Sequence, residues 1–159
     1  MPITIAERLQ ELGLTLPQAS PPAANYISTM RSGDLLFVSG QISMAGDTSV
    51  FRSQVGAQLS VEDGRRAAEV AALNVLAQIA AATDGTLSAV RRVVRLGVFV
   101  AAKPDFTQHS PVANGASDLL VAVFGDAGRH ARTAVGVASL PAGVAVEVDA
   151  IVALAGFEA

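Results

Sequence analysis

The sequence predicts a single α+β domain in which helices cover one face of a mixed β-sheet. A long run with helical periodicity, residues 60–84, lies between segments whose apolar residues alternate as they do in strands. The predicted order is helix, strand pair, helix, strand, helix, strand pair. With 159 residues, of which 51% are hydrophobic, the chain has the length of one domain and enough apolar side chains for a sizeable core.

The first 25 residues predict a short helix followed by an irregular connector. Thr4 and Glu7 have the spacing of a capping box, and Gly13 ends the amphipathic run at about Leu12. The next stretch, residues 14–25, holds three prolines and is predicted to lack regular structure. We interpret residues 1–21 as a helical extension with a proline-rich connector, within one domain that spans residues 1–159.

Two short strands are predicted after this connector. They cover residues 26–30 and 35–39 and flank the turn sequence Ser32-Gly33-Asp34. Residues 40–59 have no strong periodicity, so we expect a long loop there.

The main helix is predicted to begin after Ser60, because a serine N-cap precedes acidic residues in the first turn. It ends before Gly85, and its apolar stripe predicts core packing: Ala68, Ala72, Val75, Leu76 and Ile79. The longest strand is predicted over residues 90–101 and a further helix over residues 114–124. In that strand one face is expected to carry Val94, Leu96, Val98 and Val100.

The C-terminal segment, residues 131–152, predicts a β-hairpin around a turn at Leu140 to Gly143. Side chains alternate along strands, so a tight turn places Arg132, Glu147 and Asp149 on one face, opposite the valines.

In this predicted register Gly136 faces Glu147, and Arg132 lies about 13 Å further along its strand. The gap has room for a small anionic ligand, with Ala134 and Gly136 as its floor. An outer sheet face with ordinary solvated charges explains the same pattern equally well.

Composition argues against several classes of protein. The chain has no cysteine, which excludes disulfides and thiolate chemistry and fits a reducing compartment. Its two histidines, His109 and His130, form no metal-binding spacing. The N-terminus does not resemble a signal peptide, and no apolar stretch reaches the roughly 18 residues of a membrane helix. We therefore expect a cytoplasmic protein with no metal and no membrane contact.

Charge and surface composition point to an oligomer that does not bind nucleic acid. The net charge of -3 argues against binding to the phosphates of a nucleic acid. An aromatic content of 4% provides few side chains on which unpaired bases could stack. Charged residues make up only 16% of the chain. This small share indicates that part of the protein surface is buried against further copies of the chain. The motifs of serine hydrolases, P-loop proteins and dinucleotide-binding proteins are absent from the sequence.

Three sequence elements resemble signatures of the RidA/YjgF superfamily. One is an arginine followed by an L-P-x-G turn and a V-E-V-x-A-I strand, in residues 131–151. Another is P-A-A-N-Y at residues 22–26 with S-G-Q at residues 39–41. The last is V-F-V at residues 98–100 followed by Asp105-Phe106. The chain is similar to longer members of the family, with extra residues at the N-terminus and at residues 109–112.

The resemblance implies a chorismate-mutase-like fold with two main helices on one sheet face, assembled as a homotrimer with ligand sites between subunits. It also implies hydrolysis of small reactive 2-imino acids to 2-keto acids and ammonia, without a cofactor. Arg132 would grip the substrate carboxylate with its planar fork of donors. Glu147 would orient the attacking water and carry its proton. The other pocket residues implied are Tyr26, Ser39, Gly40 and Asn114.

One position departs from the family pattern. Many active members carry a polar or thiol side chain two residues after the arginine, where this chain has Ala134. This substitution weakens the expected hold on water or changes the substrate.

Simpler structural roles remain open for the other positions: Tyr26 at a sheet edge, Ser39-Gly40 as a turn, and Asn114 as a helix cap. The alternative function is a trimer that binds a small carboxylate or keto acid without turnover, and an endoribonuclease is a third possibility. The pairing of Glu147 with Arg132 is the feature that favours catalysis over binding alone, because binding of a carboxylate requires only the arginine.

Overall fold

Helices cover one face of a five-stranded mixed sheet in the computed structural model, which describes residues 1–45, 48–49 and 51–156. The α+β prediction is therefore confirmed. The helices are α1 (Ile5–Glu11), α2 (Val61–Ala82) and α3 (His109–Phe124). The strands are β1 (Thr29–Ser32), β2 (Leu35–Ile42), β3 (Met44–Ala45), β4 (Thr48–Ser49), β5 (Val90–Ala101), β6 (Ala131–Val137) and β7 (Val146–Leu154).

The main sheet has the strand order β1-β2-β7-β5-β6, and β3 pairs with β4 in a separate two-stranded sheet. All neighbours in the main sheet are antiparallel except β5 and β6, which run parallel. Helix α3 connects these two strands, as a parallel pair requires a crossover. The core lies between the sheet and helices α2 and α3, and the opposite face of the sheet, here called the open face, has no helix on it among the described residues.

The predicted capping box of α1 is present, and the predicted N-cap of α2, Ser60, also forms one. The Thr4 hydroxyl accepts from the backbone N–H of Glu7, and the Glu7 carboxylate accepts from the backbone N–H of Thr4. Ser60 and Asp63 make the same exchange at the start of α2. These bonds satisfy N–H groups that a helix terminus leaves unpaired. The predicted core stripe of α2 is fully buried.

Several predicted boundaries differ from the structure. Strand β1 starts three residues later than predicted, and the expected loop at residues 40–59 contains the end of β2 and the short strands β3 and β4. In β5, whose bounds match the prediction, Val93 is buried and Val94 is exposed. Register shifts between Val90 and Arg92 and between Val93 and Arg95 reverse the alternation there.

Helix α3 begins at His109 instead of residue 114. Pro111 falls in its first turn, where the missing N–H costs no intrahelical bond. Asn114 therefore lies inside the helix, and its interpretation as a cap is wrong.

The predicted C-terminal hairpin is also wrong, because β5 lies between β6 and β7. The Leu140–Gly143 segment contains a 3₁₀ turn with Ala142 and Gly143 at positive φ, and it carries the chain past the end of β5. Arg132 is paired with Leu96 and faces the helices, whereas Glu147 is paired with Phe99 and faces the open side. Alternation correctly predicts which residues share a face within β6 and within β7, but the inserted strand invalidates the predicted register between these two strands.

Candidate functional site

Glu147 lies half-buried in a cleft near the start of β7. The cleft has a volume of about 350 Å³, and its wall includes Tyr26, Gly40, Pro141 and the connector residues 20–23. A methyl group added at position 40 would lie 2.2 Å from Oε1 of Glu147. The carboxylate therefore rests directly on the backbone of β2, and glycine is needed there for close approach.

Burial raises the pKa of the Glu147 carboxyl above its ordinary value, and the negative charge of Asp149 raises it further. Glu147 has no ion-pair partner among the residues that the structure describes. Asp149, by contrast, lies 3.6 Å from the guanidinium of Arg95. Of the two neighbouring acids, Glu147 is thus the one held without a counter-charge.

An irregularity in β2 shapes the floor of this cleft. The register shifts by one residue between the pairs Val38–Ala150 and Gln41–Val148, so that Ser39 and Gly40 form a bulge. The Ser39 hydroxyl donates to the carbonyl of Ile27 at 2.7 Å. This hydrogen bond links the bulge to the segment before β1. The Ser39 hydroxyl therefore donates its proton to a structural contact.

Tyr26 borders the same cleft from the connector side, with 47% of its surface exposed. Its phenol oxygen accepts from the backbone N–H of Ala23 at 3.4 Å. On the helix side, the buried Gln78 donates from Nε2 to the carbonyl of Ser20 at 2.8 Å. The structure therefore brings Tyr26, Gly40 and Glu147 together, with Ser39 directly adjacent.

Arg132 belongs to a second cluster, between β6 and α3. Its Nη1 donates to Oδ1 of Asn114 at 2.8 Å and to Oγ of Ser117 at 3.1 Å. Within the described part of the chain, Nε and Nη2 have no hydrogen-bond partner and the guanidinium forms no ion pair. Ala134 follows on the same face of β6 and packs against the core.

Two residues of this cluster, Ser117 and His130, were not predicted as site residues. Oγ of Ser117 lies 2.9 Å from Nε2 of His130 and also accepts from Arg132. The sequence held one usable signal. Asn114 and Ser117 are three residues apart, which places both on one face of a helix once α3 is known to include them.

The two clusters cannot meet within one chain. Glu147 and Arg132 lie on opposite faces of the sheet, and two strand spacings, about 10 Å, separate β7 from β6. Arg132 is also displaced along the strand direction, since its partner in β5 is Leu96 whereas the partner of Glu147 is Phe99. The prediction that both groups lie on one sheet face, with a gap of about 13 Å for a ligand between them, is therefore wrong for the single protomer.

Other features of the described residues add no competing site of this kind. A larger cleft of about 580 Å³ near Lys103 and Phe106 contains none of the predicted site residues, and Lys103 is paired there with Asp105. Across the described ranges there is no group of three or more side chains suited to hold a metal ion. None of the described helices combines the length and apolar character needed to cross a membrane.

Comparisons with known proteins identify the family. A family model described as "YjgF/chorismate_mutase-like, putative endoribonuclease" matches residues 6–151. Protein TCP17 of Trypanosoma cruzi is 53% identical over 151 residues, which cover 94% of each chain.

Two solved structures are similar to this chain. Protein Atu1372 of Agrobacterium tumefaciens is 49% identical, with a TM-score of 0.88 and coverage of 94% of this chain and 92% of that one. RidA from an Antarctic Psychrobacter species is 27% identical, with a TM-score of 0.58 and coverage of 86% of this chain and 94% of that one. Sequence motifs, fold and comparisons agree, and the chain belongs to the YjgF/RidA superfamily.

Proposed function

We propose that this protein hydrolyses small reactive 2-imino acids to 2-keto acids and ammonia, without a cofactor, in a homotrimer whose sites lie between subunits. One observation carries the proposal. Arg132 and Glu147 are opposite charges, each without an ion-pair partner among the described residues, and they lie in separate half-sites on opposite faces of the sheet. A neighbouring copy that brings one half-site against the other would create a paired cation and acid around a small ligand.

Arg132 would bind the substrate carboxylate. Asn114 and Ser117 occupy only Nη1, so that Nε and Nη2 remain for two parallel hydrogen bonds to the carboxylate oxygens. A lysine at this position would offer a point charge without the planar fork. Binding through the carboxylate fixes the imine carbon relative to the protein and thereby lowers the entropic cost of the reaction.

Glu147 would activate water for attack on that carbon. The ionised carboxylate accepts a proton as the water oxygen bonds to C2, and the C=N double bond becomes a C–N single bond. Glu147 returns that proton to nitrogen, which gives a C2 carbon with one hydroxyl and one amino group. It then takes the hydroxyl proton as the C2 oxygen forms the keto group, and passes this proton to nitrogen, which leaves as ammonia. A carboxyl whose pKa is raised by burial is a stronger base than a solvated one, which suits this proton shuttle.

Exposed apolar side chains on the open face support assembly with further copies. Met30, Phe37 and Val135 are 54%, 40% and 39% exposed, and each projects from a different strand of the main sheet. Apolar side chains spread over one sheet face favour burial against another protein surface. Because Glu147 lies on this face, such burial also brings a neighbour close to its cleft.

The activity is tested with imines generated in place by an amino-acid oxidase and trapped with semicarbazide. We expect wild-type protein to accelerate the loss of 2-iminopropanoate or 2-iminobutanoate, and Arg132→Ala and Glu147→Gln each to abolish that acceleration. An unchanged imine lifetime with several imines would contradict catalysis. Pyruvate binding that depends on Arg132, without any turnover, would instead indicate a binding protein.

Mixing the two inactive variants tests whether the sites are shared. If each site combines Arg132 of one subunit with Glu147 of the next, co-refolded Arg132→Ala and Glu147→Gln chains form mixed trimers with one intact site. Random mixing of two inactive chains should then restore about a quarter of wild-type activity. No recovery, with mixed assemblies confirmed by mass, would contradict a shared site.

The description of the family model also names endoribonuclease activity, which is therefore a control in the same assays. Cleavage of a single-stranded RNA by wild type that persists in Glu147→Gln and Arg132→Ala would place such activity elsewhere in the chain.

A further inference from the structure

We infer that Ser117 and His130 are positioning residues that hold Arg132 in its ligand-binding orientation, an inference that rests on the proposed function of Arg132. They form a continuous chain of hydrogen bonds behind the guanidinium. Nη1 of Arg132 lies 3.1 Å from Oγ of Ser117, which lies 2.9 Å from Nε2 of His130. Nδ1 of His130 lies 2.6 Å from the carbonyl oxygen of Gly128.

With a neutral imidazole, the protons in this chain have one consistent arrangement. The carbonyl of Gly128 can only accept, so Nδ1 of His130 carries the proton and donates. In the neutral ring Nε2 then accepts, and the Ser117 hydroxyl donates to it. This orientation turns the remaining lone pairs of Oγ toward Arg132, where they accept from Nη1. Each group thus fixes the direction of the next.

The far end of the chain is anchored to the backbone of α3. Gly128 is buried at the end of a 3₁₀ turn, Gly125–Gly128, that follows α3. A methyl group at position 128 would lie 2.2 Å from the carbonyl oxygen of Leu120, so this turn packs directly on the helix. Asn114 and Ser117 project from the same helix, and one rigid element therefore supports all the groups that hold Nη1.

The contacts with Asn114 and Ser117 involve only Nη1, which leaves Nε and Nη2 as the donors for a carboxylate. Arginine has several freely rotating bonds, so an untethered side chain would have to be ordered when the ligand binds. Two hydrogen bonds made beforehand remove part of that cost. Since Arg132 would hold the carboxylate in both the ground state and the transition state, loss of the tether should raise KM much more than it lowers kcat.

The test compares kcat and KM for 2-iminobutanoate, and Kd for pyruvate by calorimetry, in the full-length protein. We expect Ser117→Ala and His130→Leu to raise KM and Kd about fivefold to tenfold, as for the loss of one ordinary hydrogen bond. His130→Gln keeps an acceptor for the Ser117 hydroxyl and should stay within about twofold of wild type. Arg129→Gln is the matched control, because it breaks the surface pair with Asp126 beside His130 without touching the chain.

The outcomes separate this inference from the proposed function. A lower melting temperature with unchanged KM and Kd in Ser117→Ala and His130→Leu would overturn the positioning role. Equal losses in His130→Leu and His130→Gln would also overturn it, since the acceptor would then be irrelevant. Should Ser117→Ala fail to fold, the two His130 variants decide the question. Pyruvate affinity that survives Arg132→Ala contradicts the proposed function itself.

Discussion

The carboxylate of Glu147 rests on the backbone of Gly40, so closely that a methyl group at position 40 would lie 2.2 Å from Oε1. The atoms that would collide belong to the end of the Glu147 side chain, and no backbone atom is among the nearest neighbours. An added methyl group is therefore expected to displace the carboxylate while the strand pairing survives.

Gly40→Ala should accordingly lower imine hydrolysis at least tenfold and change the melting temperature little, because the acid moves away from the reacting carbon. The double variant with Glu147→Ala is the control. With the carboxylate gone, the added methyl group has no side chain to displace, so it should have no further effect on activity or stability. A Gly40→Ala protein with wild-type kcat would show that the position of this carboxylate is unimportant.

The pH dependence of turnover should report the environment of Glu147. The ionised form is the proposed base, so activity falls as pH decreases through the pKa of Glu147, which burial and Asp149 hold above the ordinary glutamate value. Asp149→Asn removes the smaller of these two causes, and the acid limb of the kcat profile should move to lower pH.

A second variant gives the opposite shift. Arg95 lies 3.6 Å from Asp149 and partly offsets its charge. Arg95→Gln leaves that negative charge uncompensated, which should raise the pKa of Glu147 further and move the acid limb to higher pH. Shifts in the same direction for both variants would assign the acid limb to a different group.

Variants of Asn114 test whether ligand binding requires an Arg132 charge that no other protein group neutralises. Its Oδ1 accepts from Nη1 at 2.8 Å, so Asn114→Asp would convert a neutral contact into a half-buried ion pair. We expect pyruvate affinity to fall about tenfold in Asn114→Asp, since the new carboxylate competes with the ligand for the cation. The melting temperature should stay equal to or above that of wild type.

Asn114→Ala provides the comparison for this prediction. It also weakens binding, through loss of a tether, but it should lower the melting temperature because no new ion pair replaces the lost hydrogen bond. Wild-type pyruvate affinity in Asn114→Asp would mean that the ligand does not depend on the charge of Arg132.

Some features of this fold can be predicted from the sequence because they depend only on residues that are close together in the chain. Ser60 caps α2 as predicted, and the bounds of β5 follow from the length of its apolar run. The start of α3 is less visible, since Pro111 looks like a break when it is in fact tolerated in a first turn.

The arrangement of the site depends on relationships that no local pattern contains. Arg132 and Glu147 are close in sequence and look like two arms of a hairpin, yet β5, a strand from much earlier in the chain, lies between their strands. Alternation shows which side chains of one strand share a face. Which side chains of two strands lie on the same sheet face follows only when the pairing of those strands is known. The contact between Arg132 and Ser117 likewise requires the α3 crossover to lay the helix beside β6.

Assembly should be sensitive to charge on the open face. Val135 is 39% exposed on β6 and lies in the same cross-strand row as Phe99 and Glu147. Val135→Lys would bury a charge in the proposed subunit interface, at a cost of several kcal/mol if no partner is available. We expect the variant to sediment as a monomer and to lose imine hydrolysis, although neither Arg132 nor Glu147 has been altered.

Leu12→Lys is the matched control for this prediction, because Leu12 is 41% exposed at the end of α1 and away from the sheet. It should keep both the sedimentation coefficient and the activity of wild type, which would show that an added lysine is not harmful in itself. Activity in a monomeric Val135→Lys protein would contradict a shared site, since the sheet separates Arg132 from Glu147 within each chain. Loss of assembly and activity together is the expected result, because only a second copy can bring the unpaired cation to the unpaired acid.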